Sequence, residues 1–229
     1  MTQIDSHLSP HPVNTNGKRL FIARHGETVF NLAGRIQGNS AHTPLTRLGF
    51  AQADEMGRAL AHFLGAQGEF GYEGPPIDLM ASAAGRALQT LSVVCEHIGL
   101  DWHQAEADPR LNEIGLGEWE GLYYSTLSDK LQIDSERSLF LNKAPGGEDY
   151  RDIAIRLSDW IAAQSFDRDM ILISHGMTSR VLRGVLRGLP QQSDMGAPIA
   201  ESLPQGSMVQ ITDGVETIIH RGGGESEKA

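Results

Sequence analysis

Leu20-Phe21-Ile22-Ala23-Arg24-His25-Gly26-Glu27-Thr28 is the stretch on which the reading of this chain turns. Four consecutive apolar residues followed by charge and glycine read as a buried strand with Arg24 and His25 at its carboxyl end. Ligands of open α/β sheets bind at that end of the strands. His25 is therefore a candidate nucleophile for phosphoryl transfer.

Two further segments repeat the pattern. Ile77-Asp78-Leu79-Met80-Ala81 reads as a strand that runs through Ser82 and Gly85 to Arg86, before a helix from about Ala87 to Ile98. Asp169-Met170-Ile171-Leu172-Ile173-Ser174 is apolar at alternate positions on both faces, as a central parallel strand requires, and it ends at His175-Gly176 before another helix. Met208–Thr212 and Glu216–His220 flank Asp213-Gly214, a two-residue hairpin signal. Strands that alternate with helices predict a three-layer α/β fold: a mostly parallel sheet, helices on both faces, and a C-terminal hairpin.

Between these segments the pattern is less regular. Thr28 to Thr46 reads as a long ordered loop of the kind that is usually functional, with Thr46 capping a helix that aligns Met56, Leu60, Phe63 and Leu64 on one face. Gly65 to Pro76 is a connection rich in breakers, and Trp102 to Ala107 is weakly strand-like. Short helices are expected over Leu122 to Lys143, and a longer one after Pro145-Gly146-Gly147-Glu148 carries Ile153, Leu157, Trp160 and Ile161.

The chain has 229 residues and no linker-like stretch in its middle, so one catalytic domain is expected over residues 18–221. Residues 1–17 are polar and expected to be flexible, and 222–229, small and charged, are expected to be disordered. The single cysteine, Cys95, lies in an apolar run and reads as a buried structural thiol, and no intrachain disulfide can form. Without a signal-peptide core or a membrane-length apolar run, a cytoplasmic location is expected. A formal net charge of −10 argues against nucleic acid or an anionic membrane as partner, since either needs a basic face. A small phosphorylated substrate remains compatible, provided that positive groups gather locally. Nothing in the sequence speaks to oligomeric state.

If the three strands ending at Arg24-His25, Arg86 and His175 are neighbours, two histidines and two arginines converge on one sheet edge. Guanidiniums bind phosphoryl oxygens bidentately, and the helix N-termini after Arg86 and His175, the latter opened by Gly176, add backbone N–H donors. Imidazole, with an ordinary pKa of about 6.5, is largely unprotonated near pH 7 and can attack phosphorus. The departing alkoxide needs a proton, a role that suits a carboxylic acid or a histidine. Spacing alone leaves Glu113, Glu118 and Glu120 equivalent for it. Asn31 and Gln37 fit either phosphate contact or side-chain bonds that hold the loop together.

Arg24-His25-Gly26-Glu27-Thr28 resembles the signature of the histidine phosphatase superfamily, also called phosphoglycerate mutase-like. The likeness continues through Asn31, Arg35-Ile36-Gln37-Gly38, Pro44-Leu45-Thr46, Gly85-Arg86-Ala87-Leu88-Gln89-Thr90, Leu111-Asn112-Glu113, Gly117-Glu118-Trp119-Glu120-Gly121, Gly146-Gly147-Glu148 and Ser174-His175-Gly176. The resemblance implies a phosphohistidine on His25, a phosphate pocket of Arg24, Arg86 and His175, and Glu113 as proton donor and later base. It also implies phosphate contacts from Asn31 and Gln37, and chemistry that requires no metal or other cofactor. Two positions depart from the pattern: His42 stands where many members carry an acidic residue, and Ser82-Ala83-Ala84 lacks the proline often found after that serine.

Mutases of the superfamily typically carry a longer insertion after the donor glutamate, with added basic residues. Here Glu113 to Gly146 is short and has no adjacent arginine pair, although Lys130, Arg137 and Lys143 occur in it. Hydrolysis of a small phosphorylated metabolite is therefore expected, with a mutase or sugar bisphosphatase as the alternative and a non-catalytic phospho-ligand module as a second. A metal site at His25 and His175 is the weakest reading, because no HxH or HExxH-like spacing accompanies them. Trp119, Tyr123, Tyr124 and Phe140 are candidates for either the substrate pocket or the core.

Overall fold

In the computed structural model, which describes residues 10–66 and 71–223, the opening stretch forms the buried strand β1 (Leu20–Arg24). There follow α1 (Val29–Leu32), α2 (Arg47–Leu64), β2 (Ile77–Ser82), α3 (Gly85–Ile98) and β3 (Glu106–Asp108). The chain continues through β4 (Ile133–Asp134), β5 (Leu139–Phe140), α4 (Tyr150–Ala162), β6 (Asp169–Ser174), α5 (Gly176–Leu186), β7 (Met208–Thr212) and β8 (Val215–His220).

Strand order in the main sheet is β3-β2-β6-β1-β7-β8. The first four strands run parallel and the last two are antiparallel additions. The three strands that end at the candidate residues are thus adjacent, β6 in the middle, with Arg24 in register with Ser174. Side chains of a strand alternate between faces, and the core divides accordingly. Leu20 and Ile22 of β1 with Met170 and Leu172 of β6 pack against α4 and α5, whereas Phe21, Ala23, Ile171 and Ile173 pack against α2 and α3. Helices therefore cover both faces, as the alternation of elements predicts. Cys95 is buried in the second core, and burial pushes its thiol up to about 12, out of the range where it could act as a thiolate.

Thr46 caps α2 by accepting the Gly49 N–H at 3.0 Å. Asp213 and Gly214, at φ of 45° and 81°, make the tight turn between β7 and β8. At three places the structure differs from the sequence reading. The loop after His25 contains α1, closed by reciprocal bonds between Thr28 and Asn31. Trp102–Gln104 is a 3-10 turn that leads into the short edge strand β3. The region 122–143 holds one 3-10 turn, Tyr124–Thr126, and the two-residue ribbon β4-β5 in place of short helices. That ribbon is too short to stand alone; the Tyr150 hydroxyl, a tertiary partner, accepts the Phe140 N–H at 2.9 Å.

Bonding extends beyond the expected domain limits. The Val13 N–H donates to Leu186 O, Thr15 is buried and bonds to Asp213, and the Gly222 N–H donates to Ser207 Oγ. Expectations for 1–9, 67–70 and 224–229 lie outside the described residues. Among the described residues no helix is long and apolar enough to cross a membrane.

The turn after β1 leaves no room for a side chain. A Cβ on Gly26 would stand 2.2 Å from Gly49 O, and one on Gly49 would stand 2.0 Å from Glu27 O. The first turn of α2 thus rests directly on the backbone of the catalytic loop. Gly49→Ala is expected to lower unfolding free energy by about 1–3 kcal/mol, the range for overpacking a tight contact, as read by denaturant unfolding; an unchanged midpoint would refute the close approach.

Candidate active site

His25 follows β1 directly, and its N–H donates to Ser174 O on β6 at 3.1 Å. The ring nitrogen Nδ1 lies 2.6 Å from Gly26 O, and because a carbonyl can only accept, Nδ1 carries the proton. Nε2 is then the unprotonated nitrogen, and it makes no hydrogen bond among the described residues. His25 lines a cavity of about 540 Å³ together with Arg24, Asn31, Gln37 and Glu113. Arg24 Nη1 donates to Leu203 O at 3.0 Å, which ties the loop before β7 to the same site.

Glu113 sits at the N-terminus of α5. Its Oε1 accepts from Ile114 N–H at 3.0 Å and Thr178 N–H at 2.9 Å, and Oε2 accepts from Met177 N–H at 3.1 Å. Those bonds fix the carboxylate on the cavity wall. The rival carboxylates are elsewhere: Glu118 is exposed, and Glu120 accepts from the backbone of Leu116 and Asn39 as a structural tie. Three-dimensional placement thus separates three residues that spacing left equal.

Arg86 and His175 are fully buried, one layer behind the cavity wall. The His175 ring lies 5.1 Å from that of His25, centroid to centroid. Arg86 Nε donates to His175 Nδ1 at 3.2 Å, so the His175 proton is on Nε2, which donates to Ser82 Oγ at 2.7 Å. Ser82 in turn donates to Asn112 Oδ1 at 2.7 Å. The remaining Arg86 nitrogens donate to Ser40 O, Thr43 Oγ1 and Gly38 O at 2.6, 3.0 and 3.0 Å. The convergence on one sheet edge is present, with both residues behind His25 rather than on the cavity wall. Gly176 opens α5 beside them.

Asn31 and Gln37 make side-chain bonds that hold the loop together. Their side-chain oxygens lie 2.8 and 2.5 Å from Thr28 Oγ1, whose single proton serves one of them, and both residues line the cavity. Trp119 belongs to the core, Tyr123 stacks on Arg35 with the guanidinium carbon 5.3 Å from the ring centroid, and Tyr124 and Phe140 reach the cavity. The sequence reading missed Gln205 and the apolar wall residues Leu131, Ile133 and Met177. The i, i+2 spacing of Leu131 and Ile133 ahead of Leu139-Phe140 was an available strand signal; Gln205 carried none. No cluster of three or more His, Cys, Asp and Glu able to hold a metal occurs among the described residues.

A family model described as the histidine phosphatase superfamily (branch 1) matches residues 20–201, which contain every residue named above except Leu203 and Gln205. The chain belongs to that superfamily. Relatives of this superfamily member carry both activities in their names. It is 29% identical over 185 residues to "Probable phosphoglycerate mutase GpmB" of Enterobacter sp. (strain 638), covering 77% of this chain and 78% of the relative. It is 29% identical over 213 residues to a glucosyl-3-phosphoglycerate phosphatase of Mycolicibacterium vanbaalenii, covering 85% and 84%. The solved structure of a mycobacterial glucosyl-3-phosphoglycerate phosphatase with VO3 superposes with a TM-score of 0.64 at 25% identity, covering 91% of this chain and all of the other. The mostly parallel sheet with its C-terminal hairpin is the phosphoglycerate mutase-like fold.

Electrostatics favour a neutral His25 imidazole. Burial holds the His25 imidazole well below its ordinary value, and the positive charges of Arg86 and Arg24 add to the effect against the bond to Gly26 O. His175 is lowered by burial first and then by Arg86. Unfolded imidazole takes a proton near pH 6.5 while these folded ones do not, so stability is lost as pH falls below about 6.5 and is unaffected above it. Ring-carbon NMR shifts of both histidines are expected to stay neutral at pH 6; a titration midpoint near 6.5 for either would contradict this account.

Proposed function

We propose that the protein is a metal-independent phosphomonoester hydrolase working through a phosphohistidine on His25. The observation that carries this reading is the fixed tautomer of His25, with Nδ1–H held by Gly26 O and Nε2 left on a wall shared with Arg24 and Glu113. Nε2 attacks phosphorus and the bond to the ester oxygen breaks. Glu113 in its acid form gives its proton to the departing alkoxide, and the alcohol leaves. Glu113, now a carboxylate, takes a proton from water as the water oxygen attacks phosphorus, the P–N bond breaks and inorganic phosphate forms. Arg24 meets the phosphoryl oxygens from the wall, and Arg86 and His175 support the charge from behind His25, with Asn31 and Gln37 at the rim and the Gly176 end of α5 beneath. The substrate is a small phosphorylated metabolite, the class named for the phosphatase relatives.

One observation favours hydrolysis over the mutase named among the relatives. None of the three cations of the segment after Glu113 lines the cavity: Lys130 is exposed at the surface, and the other two are held in ion pairs. Arg137 is bound by Asp134 and Asp194, and Lys143 by Asp152. They are not placed to retain a second phosphate or a carboxylate while the intermediate waits, so water has the first opportunity.

Rapid quenching with a ³²P-labelled ester should trap an acid-labile phosphoenzyme that is absent from His25→Ala. Glu113→Gln should lower kcat by about 10²–10⁴-fold, as expected when a general acid–base is lost, and addition of a bisphosphate primer should not stimulate turnover. Undiminished turnover in His25→Ala would refute the mechanism.

A further inference from the structure

We infer that the site selects phosphomonoesters of apolar, ring-sized alcohols over sugar phosphates; the inference rests on the hydrolase reading above. Away from His25, the apolar side of the wall is built from Leu116, Tyr124, Leu131, Ile133, Phe140 and Met177, beside the uncharged polar residues Ser128 and Gln205. Those first six side chains extend the core beneath the α4–α5 face, with Leu116, Phe140 and Met177 buried in it and the other three half-buried against it. The alcohol of a bound ester therefore leaves water for a surface continuous with the protein interior. Apolar area buried there contributes to binding in proportion to its extent. Sugar hydroxyls laid on those six side chains lose hydration and have only the few polar groups beside them as partners, which is costly.

The charged side chains of the cavity beyond the phosphoryl end are already committed. Glu27 Oε1 accepts from Thr46 Oγ1 at 2.6 Å. Arg35 Nε donates to Gly121 O at 2.7 Å, and its guanidinium carbon lies 4.4 Å from the Phe30 ring centroid as well as close to Tyr123. A volume of about 540 Å³ is typical of sites that enclose an organic body rather than phosphate alone.

The test compares alkyl esters whose alcohols differ little in leaving ability, so that polarity is the variable: 2-phenylethyl phosphate and cyclohexylmethyl phosphate against glycerol 1-phosphate and glucose 6-phosphate. The expected kcat/KM is at least about tenfold higher for the two apolar esters, with most of the difference in KM. Leu131→Asp, with Ile133→Asn as a second half-buried substitution, should narrow that ratio about fivefold or more while circular dichroism stays unchanged. Equal or higher kcat/KM for the polar esters, or a ratio untouched by both folded variants, overturns the selectivity and leaves the hydrolase standing. Failure of every ester to release phosphate or form a phosphoenzyme overturns both.

Discussion

A guanidinium with no access to water is the constraint from which the site follows. Arg86 is fully buried, and a buried charge is tolerable only where hydrogen bonds replace hydration. Its donors take the carbonyls of Gly38 and Ser40, the hydroxyl of Thr43 and the Nδ1 of His175. Each of those bonds has a consequence. The first three draw the 38–43 loop over the sheet edge, and the fourth selects the His175 tautomer and thereby directs its Nε2 proton to Ser82. The charge itself, added to burial, keeps His25 and His175 neutral. One arginine thus couples loop position to the protonation state of His25 and His175.

The sheet makes this coupling possible because parallel neighbours deliver their carboxyl ends to the same edge. β6 lies between β1 and β2, and the next residues after these three strands carry His25, His175 and the turn to Arg86. A register slip of one residue would send each strand's side chains to the opposite face, and the two apolar cores, which divide alternate residues of β1 and β6, resist it. The same stability that holds the cores apart therefore holds the imidazoles together. The α2 helix contributes from the other side, where the mutual approach of Gly26 and Gly49 sets the depth of the loop that carries Gly26 O, the acceptor for His25 Nδ1.

What was legible in the sequence was what is encoded locally. A doubly buried strand announces itself by unbroken apolar residues, and a strand end by the charge and glycine that follow, so β1, β6 and their histidines could be placed without coordinates. Thr46 as a cap and Asp213-Gly214 as a hairpin turn were equally local. Glu113 was not, because its distinction from Glu118 and Glu120 lies in three backbone N–H groups, two of them from a helix more than sixty residues away. The segment 122–143 failed for a related reason. Its two-residue strands have too few ladder bonds to impose a pattern, and they persist by packing on α4, as the Tyr150–Phe140 bond shows.

That segment is also where chemistry and specificity part. The residues that would handle the phosphoryl group come from strand ends and helix termini, whose positions the sheet dictates, and they cannot move without disturbing a core. The wall that would meet the alcohol comes largely from 116–140, where the half-buried Leu131 and Ile133 can change at smaller cost to the fold than the buried Leu116 and Phe140. A scaffold of this kind holds one reaction constant while the group that bears the phosphate varies. Relatives named for a mutase and for a phosphatase, at the same 29% identity to this chain, are what such a division produces. Substrate choice in this protein should therefore be sought in Leu131 and Ile133 rather than in the histidines, because those two can be altered without disturbing the strand ends.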